Sequence, residues 1–182
     1  MASTRAEQAE RTRTAVLDTA RRLFAERGFD GTSLQLIADT MGVQKANVYY
    51  YFRTKVAILE ALLEGNIAAF DVLLDEAEGL AGRQRREFMV DGFVGQVVAS
   101  RSIAPLTSTD PGMRRDPAIA DRLEQQTSRA MRLMFGTEPT VEQQAAYYMA
   151  IDVGTVVQRM KHLPDNDLHH LLRTLCLRVL DF

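Results

Sequence analysis

The sequence holds a single cysteine, Cys176, and no tryptophan. One thiol excludes an internal disulfide and fits a reducing compartment. Cys176 lies in the apolar stretch LLRTLCLRVL, so it reads as a packed side chain and not as a nucleophile. No apolar run approaches the ~20 residues that a membrane-spanning helix needs. The first residues, MASTRAEQAERTRTAV, lack an apolar segment ahead of a cleavage site. A cytoplasmic protein with no membrane partner is therefore expected. Alternation of apolar and polar residues, the mark of half-buried strands, is missing too, as are internal repeats and low-complexity segments. No glycine-rich phosphate loop and no Ser-His-Asp grouping in a recognisable context is present. His162, His169 and His170 cluster with Asp165 and Asp167 in KHLPDNDLHHLL. Adjacent histidines on a helix point about 100° apart, and no i, i+4 pair of His or Cys accompanies them. Neither an enzyme, a cofactor nor a metal site is expected.

What remains is a chain built to fold. Apolar residues make up 46% and charged residues 25% of 182 positions, values typical of globular proteins. That length allows one or two domains. The net charge of −2 is unevenly spread: residues 1–55 hold nine Lys/Arg against six Asp/Glu, and the remainder thirteen against eighteen. The basic third is where an anionic partner would bind.

Every strong periodicity is helical. Val16, Leu17, Ala20, Leu23 and Phe24 form one stripe, ended by Gly28 as a left-handed cap. Thr32 or Ser33 opens a short second helix carrying Leu34, Ile37, Ala38 and Met41, and Gly42 stops it. A third short helix runs from Gln44 to about Phe52. Thr54 then caps a long fourth helix, striped with Leu59, Leu62, Leu63, Ile67, Phe70, Leu73 and Leu74, to about Glu78. Further helices are expected over roughly 83–101, from Asp116 and Pro117 to Phe135, over about 140–161 and over about 167–181; SIAPLTSTDPGMRRDP reads as irregular with room for one short helix. The expectation is an all-α chain of eight or nine helices.

Two short helices joined by a glycine-containing turn and preceded by a longer one form a helix-turn-helix unit. In such units the second helix of the pair enters the major groove with its first residues at the base edges. Here those residues are Gln44, Lys45, Ala46 and Asn47. Lysine donates to guanine, asparagine pairs with adenine, and alanine meets a thymine methyl. Three tyrosines follow, Tyr49, Tyr50 and Tyr51, out of five in the chain. At about 100° per residue they fan over about 200° and cannot share one buried face. Val48 and Phe52 are the better core pair.

The stretch FAERGFDGTSLQLIADTMGVQKANVYYYFRTKVAIL, residues 24–59, closely resembles the TetR family of bacterial transcription regulators. Phe24, Gly28, Thr32, Ile37, Ala38, Gly42, Val43, Tyr49, Phe52, Lys55 and Leu59 fall on the family's characteristic positions. Gln44 departs from it, standing where the family usually has a capping serine, and Val56 stands where it often has glutamate. The resemblance implies that Lys45, Ala46, Asn47 and Tyr49 face bases or the adjoining sugar and phosphate, and that Thr32, Ser33, Tyr50, Tyr51 and Lys55 touch phosphates. Lys55 opens the fourth helix, where its charge opposes the dipole, so an external anion is the expected reason for it.

The resemblance further implies a reading domain at 1–53 and a helical effector-binding and dimerisation domain at 54–182. A homodimer on double-stranded operator DNA, usually a repressor released by a small effector, is the expected assembly. Ala146, Ala150 and Gly154 form a small-residue ridge, and Leu168, Leu171, Leu172, Leu175, Val179 and Leu180 a wide apolar stripe. These read either as the dimer interface or as packing within one chain. Polar residues that interrupt apolar faces are candidate effector contacts: Gln96 and Ser100 beside Phe88 and Phe93, Gln126 and Thr127 beside Met131, and Tyr148 with Asp152. Aromatic and methionine lining suits a mainly apolar molecule. The alternative for each polar residue is an internal hydrogen bond or simple exposure.

Overall fold

A computed structural model of the chain describes residues 4–101 and 117–181. The expected irregular stretch and the Asp116 cap lie outside the described residues, apart from Pro117. Nine helices and no strand are seen among the described residues. The chain divides into two compact units, Met1–Gly65 and Asn66–Phe182.

In the first unit, α1 spans Arg5–Arg27 and begins with a capping box in which Thr4 and Glu7 satisfy each other's backbone N–H. Its buried stripe is Val16, Ala20, Leu23 and Phe24. Gly28 ends it at φ 75° and ψ 167°, a positive φ as expected of glycine but with an extended ψ in place of the left-handed helical one. The helix α2, Leu34–Met41, starts at Ser33, whose Oγ accepts from the Leu36 N–H, and stops at Gly42 in the left-handed conformation. The helix α3, Lys45–Tyr51, follows directly and buries Val48. Next comes α4, Lys55–Glu78, with the Ala57 N–H donating to Thr54 Oγ1 at 3.0 Å.

The division between the units falls inside α4, whereas the sequence suggested a boundary before it. The first turn of α4 is tied to the α1–α2 turn, because Lys55 Nζ donates to the carbonyls of Phe29 and Thr32.

The second unit comprises the rest of α4 with α5 (Gly82–Ala99), α6 (Pro117–Phe135), α7 (Val141–Ile151), α8 (Gly154–Arg159) and α9 (Asp165–Leu180). Val90, Val94 and Val98 of α5 pack with Ala146 and Ala150 of α7, Val157 of α8, and Leu168, Leu172, Cys176 and Leu180 of α9. A second cluster joins Leu74 and Ala77 to Met89, Ala130 and Tyr147. Arg85 ties helix ends together: it donates to the Ala77 carbonyl of α4 at 2.9 Å and the Leu133 carbonyl of α6 at 3.0 Å.

Two expectations change here. The single helix read over 140–161 is broken after Ile151: Asp152 turns out at φ −83°, ψ 60°, and α8 restarts at Gly154. The apolar spacing runs through this break, but a β-branched valine and a glycine in succession weaken helix continuation. The small-residue ridge is also not an outer surface. Ala146, Ala150 and Gly154 are buried within the chain, the two alanines in the cluster that contains α9.

Candidate nucleic-acid interface and cavity

The turn between α2 and α3 is two residues beyond Gly42, and it leaves the start of α3 open. Gln44, Lys45, Ala46 and Asn47 are all exposed, and Gln44 makes no side-chain capping bond. Beneath them Val48 and Phe52 are buried. The tyrosines separate as the helical fan requires. Tyr49 is 44% and Tyr50 75% exposed, while Tyr51 is half-buried with its ring edge-on to Tyr50 at 5.0 Å. Gln44 to Asn47, with Tyr49 and Tyr50, thus form an exposed polar edge on a buried apolar footing.

Two residues expected to touch phosphate are turned inward. Thr32 is 2% exposed and its Oγ1 donates to the Gly28 carbonyl at 2.9 Å. Lys55 Nζ lies 2.6 Å from the Phe29 carbonyl, 3.2 Å from that of Thr32, 3.9 Å from the Asp30 carboxylate and 4.2 Å from the centre of the Phe29 ring. The charge at the start of α4 is therefore explained by carbonyls inside the protein, and an external anion is not needed to account for it. Ser33 remains exposed, its oxygen engaged as the α2 cap.

Arg53 enters as a residue that the sequence pattern alone did not single out. Its guanidinium carbon sits 4.8 Å above the Tyr49 ring. The signal was present as a cation four residues after an exposed tyrosine, the spacing of one helical turn. Arg13, Arg21, Arg22 and Lys55 have acidic neighbours. Among the described residues, Lys45 and Arg53 have none within ion-pair distance.

In the second unit a small apolar cavity of about 20 Å³ lies between Phe70, Met89, Phe93, Met134, Tyr147 and Cys176. That is room for about one water-sized body, against the ~300–1,000 Å³ of drug-sized sites. Of the nine expected effector contacts, Phe93 lines it. Phe88 and Met131 pack beside the second core cluster, and Gln96 is half-buried.

Gln126 is buried and donates to the Ile67 carbonyl at 2.8 Å and to Asp71 at 2.7 Å. Ser100 donates to Asn66 Oδ1 at 2.9 Å, and Thr127 is half-buried. Tyr148 and Asp152 are exposed on α7 and its end. Gln126 and Ser100 are thus spent on internal bonds, and Tyr148 and Asp152 on solvent, which is why the pattern did not mark the cavity. Burial pushes the Cys176 thiol up to about 11, and it raises the Tyr147 phenol as well. Both stay protonated and neutral at neutral pH.

The His169 ring stands 3.8 Å from Asp91, which also pairs with Arg173 at 3.0 Å. Among the described residues, no helix is long and apolar enough to cross a membrane.

The model of bacterial regulatory proteins of the tetR family matches residues 16–62. The chain is 44% identical over 45 residues to the negative transcriptional regulator IcaR of the biofilm operon icaADBC in Staphylococcus aureus (strain Newman), a match covering 25% of this chain and 24% of that one. It is 34% identical over 92 residues to the HTH-type transcriptional repressor KstR2 of Rhodococcus jostii (strain RHA1), covering 50% of this chain and 45% of the relative. The chain therefore spans less than half the length of these relatives. The crystal structure of the probable transcriptional regulatory protein RHA5900 superposes with a TM-score of 0.71 at 22% identity, over 93% of this chain and 99% of that one, which establishes a shared fold. The helix-turn-helix formed by α2 and α3 lies inside the segment that matches the tetR family of bacterial regulatory proteins.

Proposed function

We propose that the protein is a dimeric, sequence-specific DNA-binding repressor that leaves its operator when a small, mainly apolar effector binds. The observation that carries this reading is the exposed edge of α3, where Gln44, Lys45, Ala46 and Asn47 stand free on a buried footing of Val48 and Phe52. A short helix so presented fits the major groove with its first residues at the bases. Lys45 and Asn47 are the direct readers, Ala46 meets a methyl, and Tyr49 borders them; Ser33, Tyr50 and Tyr51 fix the helix against the backbone. Two relatives named as a negative regulator and a repressor support the sign of regulation.

The effector reading is supported by the apolar, methionine- and aromatic-lined cavity of the second unit. At its present size the cavity has to widen to admit a ligand. The effector therefore selects an expanded minor state, and its energy of differential binding is what shifts the population.

Selection of bound duplexes from random sequence, followed by binding titrations, tests the reading. The wild-type protein is expected to prefer the selected duplex over a scrambled one, and Asn47→Ala to relax the preference at one base position by about 1–3 kcal/mol. Equal affinity for both duplexes would make the protein a non-specific DNA binder and refute the proposal.

A further inference from the structure

We propose that Arg53, and not Lys55, is the cation that grips the DNA backbone at the C-terminal end of α3, while Lys55 is a positioning residue that holds the α1–α2 turn; the proposal rests on the DNA-binding reading above. An ammonium group has three N–H donors. Those of Lys55 have the Phe29 and Thr32 carbonyls at 2.6 and 3.2 Å, with the Asp30 carboxylate and the face of Phe29 closing the remaining side. Two donors are engaged by these carbonyls, and the third faces the Asp30 carboxylate at 3.9 Å; a phosphate there competes with Asp30, and it takes either of the other donors only by leaving a backbone carbonyl without its partner. The ammonium is the link between the first turn of α4 and the turn that leads into Ser33. Ser33 in turn caps α2, the helix that precedes the reading helix.

Arg53 is placed in the opposite way. It follows Phe52, the residue that ends α3, and its guanidinium lies over the Tyr49 ring at 4.8 Å. Stacking uses the flat face of a guanidinium and leaves its N–H fork free in the plane. Among the described residues no carboxylate is within ion-pair distance of that fork. A fork of this kind takes a phosphate with two parallel hydrogen bonds. The same stacking holds Tyr49, so ring and fork bear on one sugar-phosphate position next to the bases assigned to Lys45 and Asn47.

The test uses the full chain and two labelled duplexes, one selected from random sequence by that chain and one scrambled. Affinity is followed over a salt series. Arg53→Ala should weaken binding to both duplexes and flatten the log–log salt slope by about 0.9 for each phosphate that the variant no longer neutralises. Arg53→Lys should restore the slope without restoring the full affinity. Lys55→Met should keep the wild-type slope and lower the thermal midpoint. Flattening by Lys55→Met, alone or together with Arg53→Ala, overturns the division of roles. Should Lys55→Met fail to fold, Arg53→Ala still decides: an unchanged slope for this exposed side chain overturns the proposal. A wild-type protein whose binding to both duplexes is weak and independent of salt would overturn the DNA-binding reading itself, whatever the variants do.

Discussion

At the scale of single residues, three adjacent tyrosines meet three different environments because each step along a helix turns the side chain by about 100°. This much was legible from the sequence: Val48 and Phe52 hold the footing, and the tyrosines are left outside it. Tyr50, at 75% exposure, contributes a ring and a hydroxyl that the fold does not need. Tyr50→Phe is therefore expected to leave stability within about 0.5 kcal/mol while weakening DNA binding roughly two- to tenfold, the worth of one hydrogen bond. Ile37, fully buried on α2, should behave in the reverse order. Its replacement by alanine costs about 2–5 kcal/mol of folding stability, and binding suffers only through the unfolded fraction. Urea titrations beside binding titrations separate the two, and a stability loss for Tyr50→Phe without a binding loss would count against the phosphate role. Lys55 and Thr32 mark where the sequence misled. It records that a cation opens α4, but not that two carbonyls twenty-odd residues earlier fold back beneath it.

At the scale of elements, helix starts were the most readable feature, because caps are local chemistry: Ser33 for α2, Thr54 for α4 and Thr140 for α7 each accept a backbone N–H. Breaks and crossings were less readable, since they depend on neighbours distant in sequence. The approach of α4 to α5 is an example. A Cβ on Gly92 would lie 2.3 Å from Leu73 Cδ1 and 3.2 Å from Cγ. Leu73 is itself buried, so it has little room to swing aside.

Alanine at position 92 gains about 1 kcal/mol of helix propensity, while overpacking costs about 1–3 kcal/mol. A net loss on the order of 1 kcal/mol is expected for Gly92→Ala. Leu73→Ala alone should cost about 2–5 kcal/mol. In the Leu73→Ala background the clash is gone, so the substitution at 92 should become neutral or stabilising. A double-mutant cycle by chemical denaturation reads that coupling, and strict additivity would show that the crossing does not depend on the missing side chain.

At the scale of the whole molecule, two-fold operators need two reading helices about one DNA turn, ~34–36 Å, apart, and this requires a second copy of the chain. The small residues Ala146, Ala150 and Gly154 left two readings open, a dimer interface or packing within the chain, and all three are buried inside the chain. The opposite face of α7 is available. Val141 and Met149 are 77% and 69% exposed, Tyr148 is exposed beside Met149, and Leu175 of α9 is exposed as well. Positions 141, 148 and 149 recur at helical spacing on one face, and large exposed apolar groups gathered in this way mark an association surface. A two-fold interface presents the same patch from both copies, so a single substitution acts twice. Met149→Glu would set two carboxylates in or near that patch, where an unpaired buried charge is strongly unfavourable. Sedimentation should show the wild-type protein as a dimer and the variant as a monomer at the same concentration, with unchanged helical circular dichroism because Met149 is largely exposed in the single chain. Binding to a duplex with two half-sites should fall more than tenfold, while binding to one half-site is retained. A variant that stays dimeric would move the interface away from the outer face of α7.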